Sequence, residues 1–280
     1  MRVGVLLFMI GSLGGVGLRV TPRDAFLPLR HVRFLLVSLV CSWVVCPIAA
    51  VLVLHFVPLA QPYAAGLLLL SLAPCAPFAP AMVRIAKGDA SYLAAFMVLS
   101  ALATVVFMPV GVPLLLGLKV SPWGIARPLL LFVLIPLLLG MAINTARPRV
   151  ADWLRPKLEK ATIVAALAMF VPIVHLFGPG IIDAIGTRAI AAQLLFLFVI
   201  SGLTHLLGLA LQDNQRSVVT LGIATRNLGA ALAPIAAVAD DERGVVMIAI
   251  GAVATLIWSA ALARWLSPRK RTADAAMVAG

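Results

Sequence analysis

The chain alternates between long apolar runs and short polar stretches that carry most of its charge. A helix needs about 20 apolar residues to cross the hydrocarbon core of a bilayer. Nine runs approach or exceed that length, at 3–18, 34–57, 63–86, 90–118, 127–146, 161–181, 189–211, 215–238 and 244–266. None alternates apolar and polar residues, as the strands of a membrane barrel do. The pattern therefore predicts an all-α integral membrane protein with nine transmembrane helices.

Composition agrees with a location in the bilayer. Of the 280 residues, 63% are hydrophobic and only 11% are charged, whereas soluble proteins average about 25% charged residues. A soluble fold of this length could not bury so much apolar surface. Water-soluble enzymes, disordered chains and secreted disulfide scaffolds are thereby excluded. We expect a single polytopic domain over 1–280, surrounded by lipid, with a cytoplasmic tail at 267–280.

The basic residues between the runs predict the orientation of the chain. Sixteen of the 22 Lys and Arg residues fall on one side of a nine-span arrangement and five on the other. The richer side contains residues 19–33, 84–87, 147–160, 216 and 264–271. Cytoplasmic loops carry an excess of Lys and Arg, so we expect a multi-pass protein of the cell (inner) membrane with its N-terminus outside. Because the basic residues cluster between the apolar runs, the positive net charge indicates how the chain is oriented in the membrane and does not indicate nucleic-acid binding.

Two of the spans are interrupted. Span three contains Pro74, Pro77 and Pro80, and span eight contains the polar segment 224–229. Proline removes a backbone donor and clashes with the preceding turn, and broken backbone at membrane depth survives only against protein or a water-filled cavity. Interruptions at matching places in two halves point to a transporter binding site. Spans one to four match spans six to nine in opposite directions, which predicts inverted repeats of four and five helices (4+5) with two broken crossing helices.

The interrupted segments resemble those of the bile acid:sodium symporter family. The resemblance rests on Pro74 followed by the run Ala86-Lys87-Gly88-Asp89, and on the run 226–232, which is similar to a second family signature. It implies a secondary active transporter of a small organic anion that works by alternating access. It also implies that spans two to four and seven to nine move against a panel of spans one, five and six.

Most sodium-ligand positions implied by the resemblance have lost their side-chain oxygens. The full set of implied positions is Ser42, Ala79, Pro80, Leu93, Met97, Gly222 and Arg226, of which only Ser42 has a side-chain oxygen. Sodium prefers oxygen ligands, and of the ten acidic residues none lies well inside a span. The substitutions argue against sodium coupling in the usual family manner, although backbone carbonyl groups of the broken helices remain candidate ion ligands. We expect no other cofactor and no metal.

Arg226 is the strongest candidate for a functional residue, because a charge this deep in a span marks a functional site. Three roles are open: it replaces the charge of sodium, it binds the anionic substrate, or it caps the carbonyl groups of the first half of span eight. Thr225 and Asn227 flank it, and Gly229 gives room for close helix approach. Pro77 and Pro80 complete the candidate site in the other break.

Other functions compete with organic-anion transport. Cys75, in the proline-rich break, is also similar to a cysteine of arsenite-efflux permeases, so an arsenite or metalloid efflux permease is the first alternative. A non-transporting receptor or scaffold is the second. No intramembrane catalytic motif is present, which argues against an enzyme. The substrate, the direction of transport, the coupling mode and the oligomeric state are not specified by the sequence.

Overall fold

The computed structural model describes residues 2–117, 121–234 and 243–267, and within these ranges the chain is helical and forms no strand. The helices, in chain order, are α1 Arg2–Gly17, α2 Pro22–Phe26, α3 Val32–Phe56, α4 Gln61–Ser71, α5 Ala79–Ile85, α6 Ala90–Leu116, α7 Pro122–Ala146, α8 Pro148–Ala184, α9 Ala189–Leu207, α10 Asp213–Ala224, α11 Leu228–Leu232 and α12 Arg243–Leu266. Lys119, the end of predicted span eight and most of the predicted tail lie outside the described residues.

Within the described ranges, five helices are long and apolar enough to cross a membrane, namely α3, α6, α7, α9 with its following turn, and α12. The prediction of an all-helical protein with several membrane-spanning segments is thereby confirmed. The count of nine stays a prediction. Predicted spans three and eight are each divided into two short helices, α4 with α5 and α10 with α11, so neither contains one helix of spanning length.

The polar stretch 147–160, read from the sequence as a loop, is wrongly assigned. It forms the first part of α8, which runs without a break for 37 residues from Pro148. Proline is favoured at the first position of a helix. Side chains three or four residues apart then support the turn: Arg155 pairs with Asp152 at 3.2 Å, and the Lys157 amine lies 3.0 Å from the centre of the Trp153 ring.

Two long helices contain a π-helical turn that ends two residues before a proline. In α3 the turn spans Cys41–Val45 and precedes Pro47, and in α7 it spans Leu130–Leu134 and precedes Pro136. A proline ring clashes with the carbonyl group four residues earlier. In a π turn the backbone hydrogen bonds join residues five apart instead of four, which widens the helix before the proline ring. Both helices therefore continue past their prolines.

The helices pack into two groups that place the interrupted segments inside the protein. α1 packs against α7 and α8, and the backbone of α7 approaches α1 so closely at Gly140 that a Cβ there would lie 2.9 Å from the Cα of Gly17. In the second group, α4 packs along α12, and α9 packs against α3, α10 and α12. The breaks between α4 and α5 and between α10 and α11 lie within this second group, and residues 71–76 and 217–232 are buried.

Candidate functional site

The two interrupted segments cross and complete each other's backbone hydrogen bonds. Pro74 and Arg226 form an isolated antiparallel bridge. The Cys75 amide donates to the carbonyl oxygens of Gly222 at 3.0 Å and Thr225 at 2.8 Å, and the Asn227 amide donates to the Ala73 carbonyl at 2.9 Å. Backbone groups freed by the breaks are therefore paired inside the protein, as a low-dielectric surrounding requires.

The side chains of Thr225 and Asn227 close the second break. The Thr225 hydroxyl donates to the Gly222 carbonyl at 3.0 Å and accepts from the Ala76 amide at 3.3 Å. The Asn227 side-chain oxygen accepts from the Ala230 amide at 3.1 Å, which caps the start of α11. The two residues next to Arg226 thus hold the crossing and the following helix in place.

Arg226 is fully buried beneath the crossing and is the largest side chain with no exposed surface among the described residues. Its Nη1 donates to the carbonyl oxygen of Ser71 at 3.4 Å and its Nη2 to the Sγ atom of Cys46 at 3.1 Å. The guanidinium carbon lies 5.4 Å from the centre of the Phe196 ring, where a cation is attracted to the aromatic face. The Nε atom has no partner.

The carbonyl group that Arg226 contacts belongs to the other span. Ser71 is the last residue of α4, whereas the half-helix that precedes Arg226 is α10. The side chain therefore links the end of one half-helix to the break in the other. It lines neither of the two cavities described below.

The implied sodium-ligand positions other than Pro80 are buried, and most of them are apolar. Gly222 has no space for a side chain, because a Cβ at this position would overlap the ring of Phe96. Ser42 is buried in the π turn of α3 and its hydroxyl has no partner. Ala79, Leu93 and Met97 present no side-chain oxygen and are each less than one tenth exposed. Among the described residues, no group of three or more His, Cys, Asp or Glu side chains could hold a metal ion.

A cavity of about 730 Å³ lies between α1, α8 and the two helices that follow the first break, α5 and α6. Pro77, Pro80 and Met97 form its wall at the crossing. A much smaller cavity, about 10 Å³ and thus the size of roughly one water molecule, lies beyond it against Cys75 and Asn227. Val16, Pro77 and Met97 line both spaces, so the larger cavity leads up to the broken backbone.

The far end of the larger cavity carries charged side chains. Arg19, two residues after the end of α1, and Glu159 of α8 both line it and pair with each other. Arg84, in the last turn of α5, also lines it. No acidic side chain of the described residues pairs with Arg84. The mouth of the cavity thus has one paired and one free guanidinium group.

The structure brings together most of the predicted site residues, but in two places. Arg226, Thr225 and Gly222 lie in the buried crossing, whereas Pro77 and Pro80 face the larger cavity. Gly229 lies against Met9 of α1, where a Cβ would be 2.6 Å from the Met9 Cγ. The candidate site contains four further residues that the sequence did not single out: Cys46, Ser71 and Phe196, which contact Arg226, and Arg84 at the cavity mouth. Only Arg84 carries a visible signal, a basic residue directly after the proline-broken segment.

Several membrane-spanning helices, two broken helices that cross, and a cavity that reaches the crossing define a multi-pass membrane transport protein. Residues 4–183 match the model of the Sodium Bile acid symporter family. The match covers more than half of the chain, and the protein therefore belongs to this family, whose members are transporters and not enzymes. No curated protein matches the chain. The matched range ends before α10, and the second crossing segment therefore lies outside the match.

Proposed function

We propose that the protein is a secondary active transporter of a small organic anion that works by alternating access. The cavity of about 730 Å³ carries this proposal. It is large enough for a small molecule, it runs from a charged mouth to the broken helices, and its wall is otherwise mostly apolar, as is typical of ligand sites. The free guanidinium group of Arg84 would attract an anion to the mouth.

Helix directions support nine spans arranged as inverted repeats. Gly66 and Leu70 of α4 lie against Met247 and Gly251 of α12, so these helices run the same way. α1 and α8 run in opposite directions, because Gly11 lies against Thr162 and the Leu18 carbonyl accepts from Arg155. Successive spans cross the membrane in alternating directions. In a nine-span chain, spans three and nine should therefore be parallel and spans one and six antiparallel, and the directions of both pairs of helices agree with this expectation.

The packing also supports a division into two moving parts. The cavity separates α1 and α8, which belong to the first group of helices, from α5 and α6, which pack against α10 of the second group. We propose that α1, α7 and α8 form the panel against which the crossing helices move. The charged mouth lies on the side where the sequence places most Lys and Arg residues, so the cavity opens to the cytoplasm in this conformation.

Flux through purified protein in proteoliposomes tests this function. The probes are radiolabelled benzoate, a small aromatic anion, and cholate, a bulky amphipathic one. We expect uptake or counterflow of at least one probe, and a raised KM with little change in kcat for Arg84→Gln. Lys87→Gln is the matched control, because Lys87 carries the same charge nearby but does not line the cavity. Binding of a probe without any flux would identify a receptor and contradict the proposal.

Arsenite efflux remains the alternative substrate class. Cys75 lines the small cavity, which is the observation in its favour. Arsenite binding by soft thiolate ligands would be best supported by several thiols, and the described residues do not form such a group. Arsenite is therefore included as a third probe, and arsenite flux that disappears in Cys75→Ser but not in Arg84→Gln would favour this alternative.

A further inference from the structure

Arg226 forms no ion pair with any acidic side chain among the described residues. Its side-chain partners are one carbonyl group and one thiol. An unpaired charge without exposure to water is costly unless the surrounding dipoles compensate it. The question is therefore which part of the protein supplies the negative potential.

Two helix ends supply it. α4 ends at Ser71, the residue whose carbonyl group accepts from Arg226, and α10 ends at Ala224, two residues before Arg226. The C-terminus of a helix acts as roughly half a negative charge. These two helix ends favour a positive charge at the crossing, and the end of α4 contacts it directly through the Ser71 carbonyl group. The crossing is therefore an electrostatic site for a cation, and the guanidinium group occupies it.

Three of the implied sodium-ligand positions provide no side-chain oxygen for a second cation. Gly222, where the resemblance implies an acidic ligand, is closed by the Phe96 ring, and the carbonyl oxygen of Gly222 already accepts from Cys75 and Thr225. Leu93 and Met97 offer no hard oxygen ligand. Arg226 also fails to line either cavity, which argues against direct contact with a substrate.

We propose that Arg226 is a resident cation that takes the place of a coupling ion at the crossing, so that this transporter works without sodium. The inference rests on the proposed transport function but concerns its coupling. The guanidinium group holds the two half-helices together permanently, whereas a dissociable ion would do so only when bound. Transport then proceeds as exchange or as movement down the gradient of the substrate itself.

The first test is the thermal stability of the purified protein in sodium, potassium and choline chloride at equal ionic strength, without substrate. A ligand that binds only the folded state raises the melting temperature. We expect the same melting temperature in all three salts for the wild-type protein. A rise specific to sodium would show that a sodium site persists and would overturn the proposal.

The second test removes the resident charge. Arg226→Ala should melt at a lower temperature, and millimolar guanidinium or sodium should raise it again because a free cation can then enter the vacated site. Arg226→Lys keeps the charge but cannot donate in a fork to two acceptors, so it should be of intermediate stability and insensitive to sodium. Arg264→Ala, which removes an exposed arginine from the last turn of α12, should match the wild type.

The outcomes separate this inference from the transport function. Stability is measured without substrate, so a failure to find a transported anion leaves these results unchanged. An Arg226→Ala protein that melts like the wild type, with no response to any cation, would overturn the inference while leaving transport intact. If Arg226→Ala does not fold, the melting temperatures of the wild-type and Arg226→Lys proteins in the three salts still test the inference, because sodium should raise neither of them.

Discussion

Cys75 adopts a backbone conformation that side chains usually avoid. Its φ angle is +65°, in the left-handed region where a non-glycine residue costs roughly 1 kcal/mol. This turn lets the Cys75 amide reach both the Gly222 and Thr225 carbonyl groups. The strain therefore lies where the first break is joined to the second, and the hydrogen bonds there offset it.

The variant Cys75→Gly separates the backbone role of this residue from a role of its thiol. Glycine adopts the left-handed conformation freely, so we expect a melting temperature at or above that of the wild type and retained anion flux. Cys75→Ala keeps the strain without the thiol and should melt at or slightly below the wild type. Loss of flux in both variants, with folding intact, would show that the thiol itself is required.

Gly222 is the second residue whose identity the crossing dictates. We expect Gly222→Ala to destabilise the protein by about 1–3 kcal/mol, as overpacking does, because the new methyl group would overlap the Phe96 ring. Adding Phe96→Leu should recover part of the loss. Gly202→Ala is the control, since a Cβ at Gly202 would meet nothing within 4 Å. Thermal unfolding in detergent measures all three, and an unchanged Gly222→Ala protein would contradict the packing described here.

The sequence identifies some of these residues and not others for a physical reason. Arg226 is conspicuous because a guanidinium group within an apolar run has an evident energetic cost. Cys46 and Phe196 are not, since a cysteine and a phenylalanine are ordinary in membrane helices and their contacts with Arg226 join positions 180 and 30 residues apart along the chain. The location of a charge is readable from sequence, whereas its partners depend on the fold.

At the scale of an element, the run Ala86-Lys87-Gly88-Asp89 is a helix stop followed directly by a helix start. The Gly88 amide donates to the Val83 carbonyl at 2.9 Å and the Lys87 amide to the Arg84 carbonyl at 3.2 Å, with Lys87 in the left-handed conformation. These two bonds form a Schellman motif, which ends α5. The motif noticed in the sequence thus has a local structural cause.

Asp89 begins the next helix, and its removal gives a prediction for that element. Its carboxylate accepts from the amides of Ser91 at 2.8 Å and Tyr92 at 3.1 Å. We expect Asp89→Ala to cost about 1 kcal/mol of stability, the usual loss for an N-cap, and Asp89→Asn to cost much less because the amide oxygen still accepts. A melting temperature of Asp89→Ala equal to that of the wild type would show that the cap contributes nothing to α6.

The helices themselves were predicted more accurately than the segments between them. Long apolar runs fix where α3, α6, α9 and α12 lie, because burial in lipid requires every backbone group to be paired within the helix. The prediction of a loop at 147–160 was wrong, because it was based on the charged residues of this segment. Asp152, Arg155 and Glu159 in fact form ion pairs from one face of a continuous helix. Charge indicates contact with water and does not by itself end a helix.

At the scale of the whole molecule, the two breaks stabilise each other. Neither segment could lie in a membrane alone, because the backbone around Ala73 and Thr225 would then have unpaired groups. The prolines and the polar residues predict from sequence that both spans break. That the breaks pair with each other, and that a cavity forms against α1 and α8, follows only from the packing of helices far apart in the chain.

The orientation of the molecule gives the last prediction. Ala81 is exposed and lines the larger cavity, and Gln61 is exposed at the start of α4. The native cysteines, Cys41, Cys46 and Cys75, are free and buried, so a membrane-impermeant maleimide should spare the wild-type protein. The charge asymmetry of the loops predicts that the cavity mouth faces the cytoplasm and that the start of α4 lies outside.

Labelling in sealed vesicles of each orientation then measures which compartment the cavity faces. We expect Ala81→Cys to react in inside-out vesicles and Gln61→Cys in right-side-out vesicles. The reverse pattern would invert the orientation of the whole chain. Labelling of both positions at similar rates from one side, with neither position reacting from the other side, would mean that α4 and α5 together do not cross the bilayer, which contradicts a broken span. Because a transporter must also expose this cavity outward, slow labelling of Ala81→Cys from outside, accelerated by a transported anion, is the signature expected of alternating access.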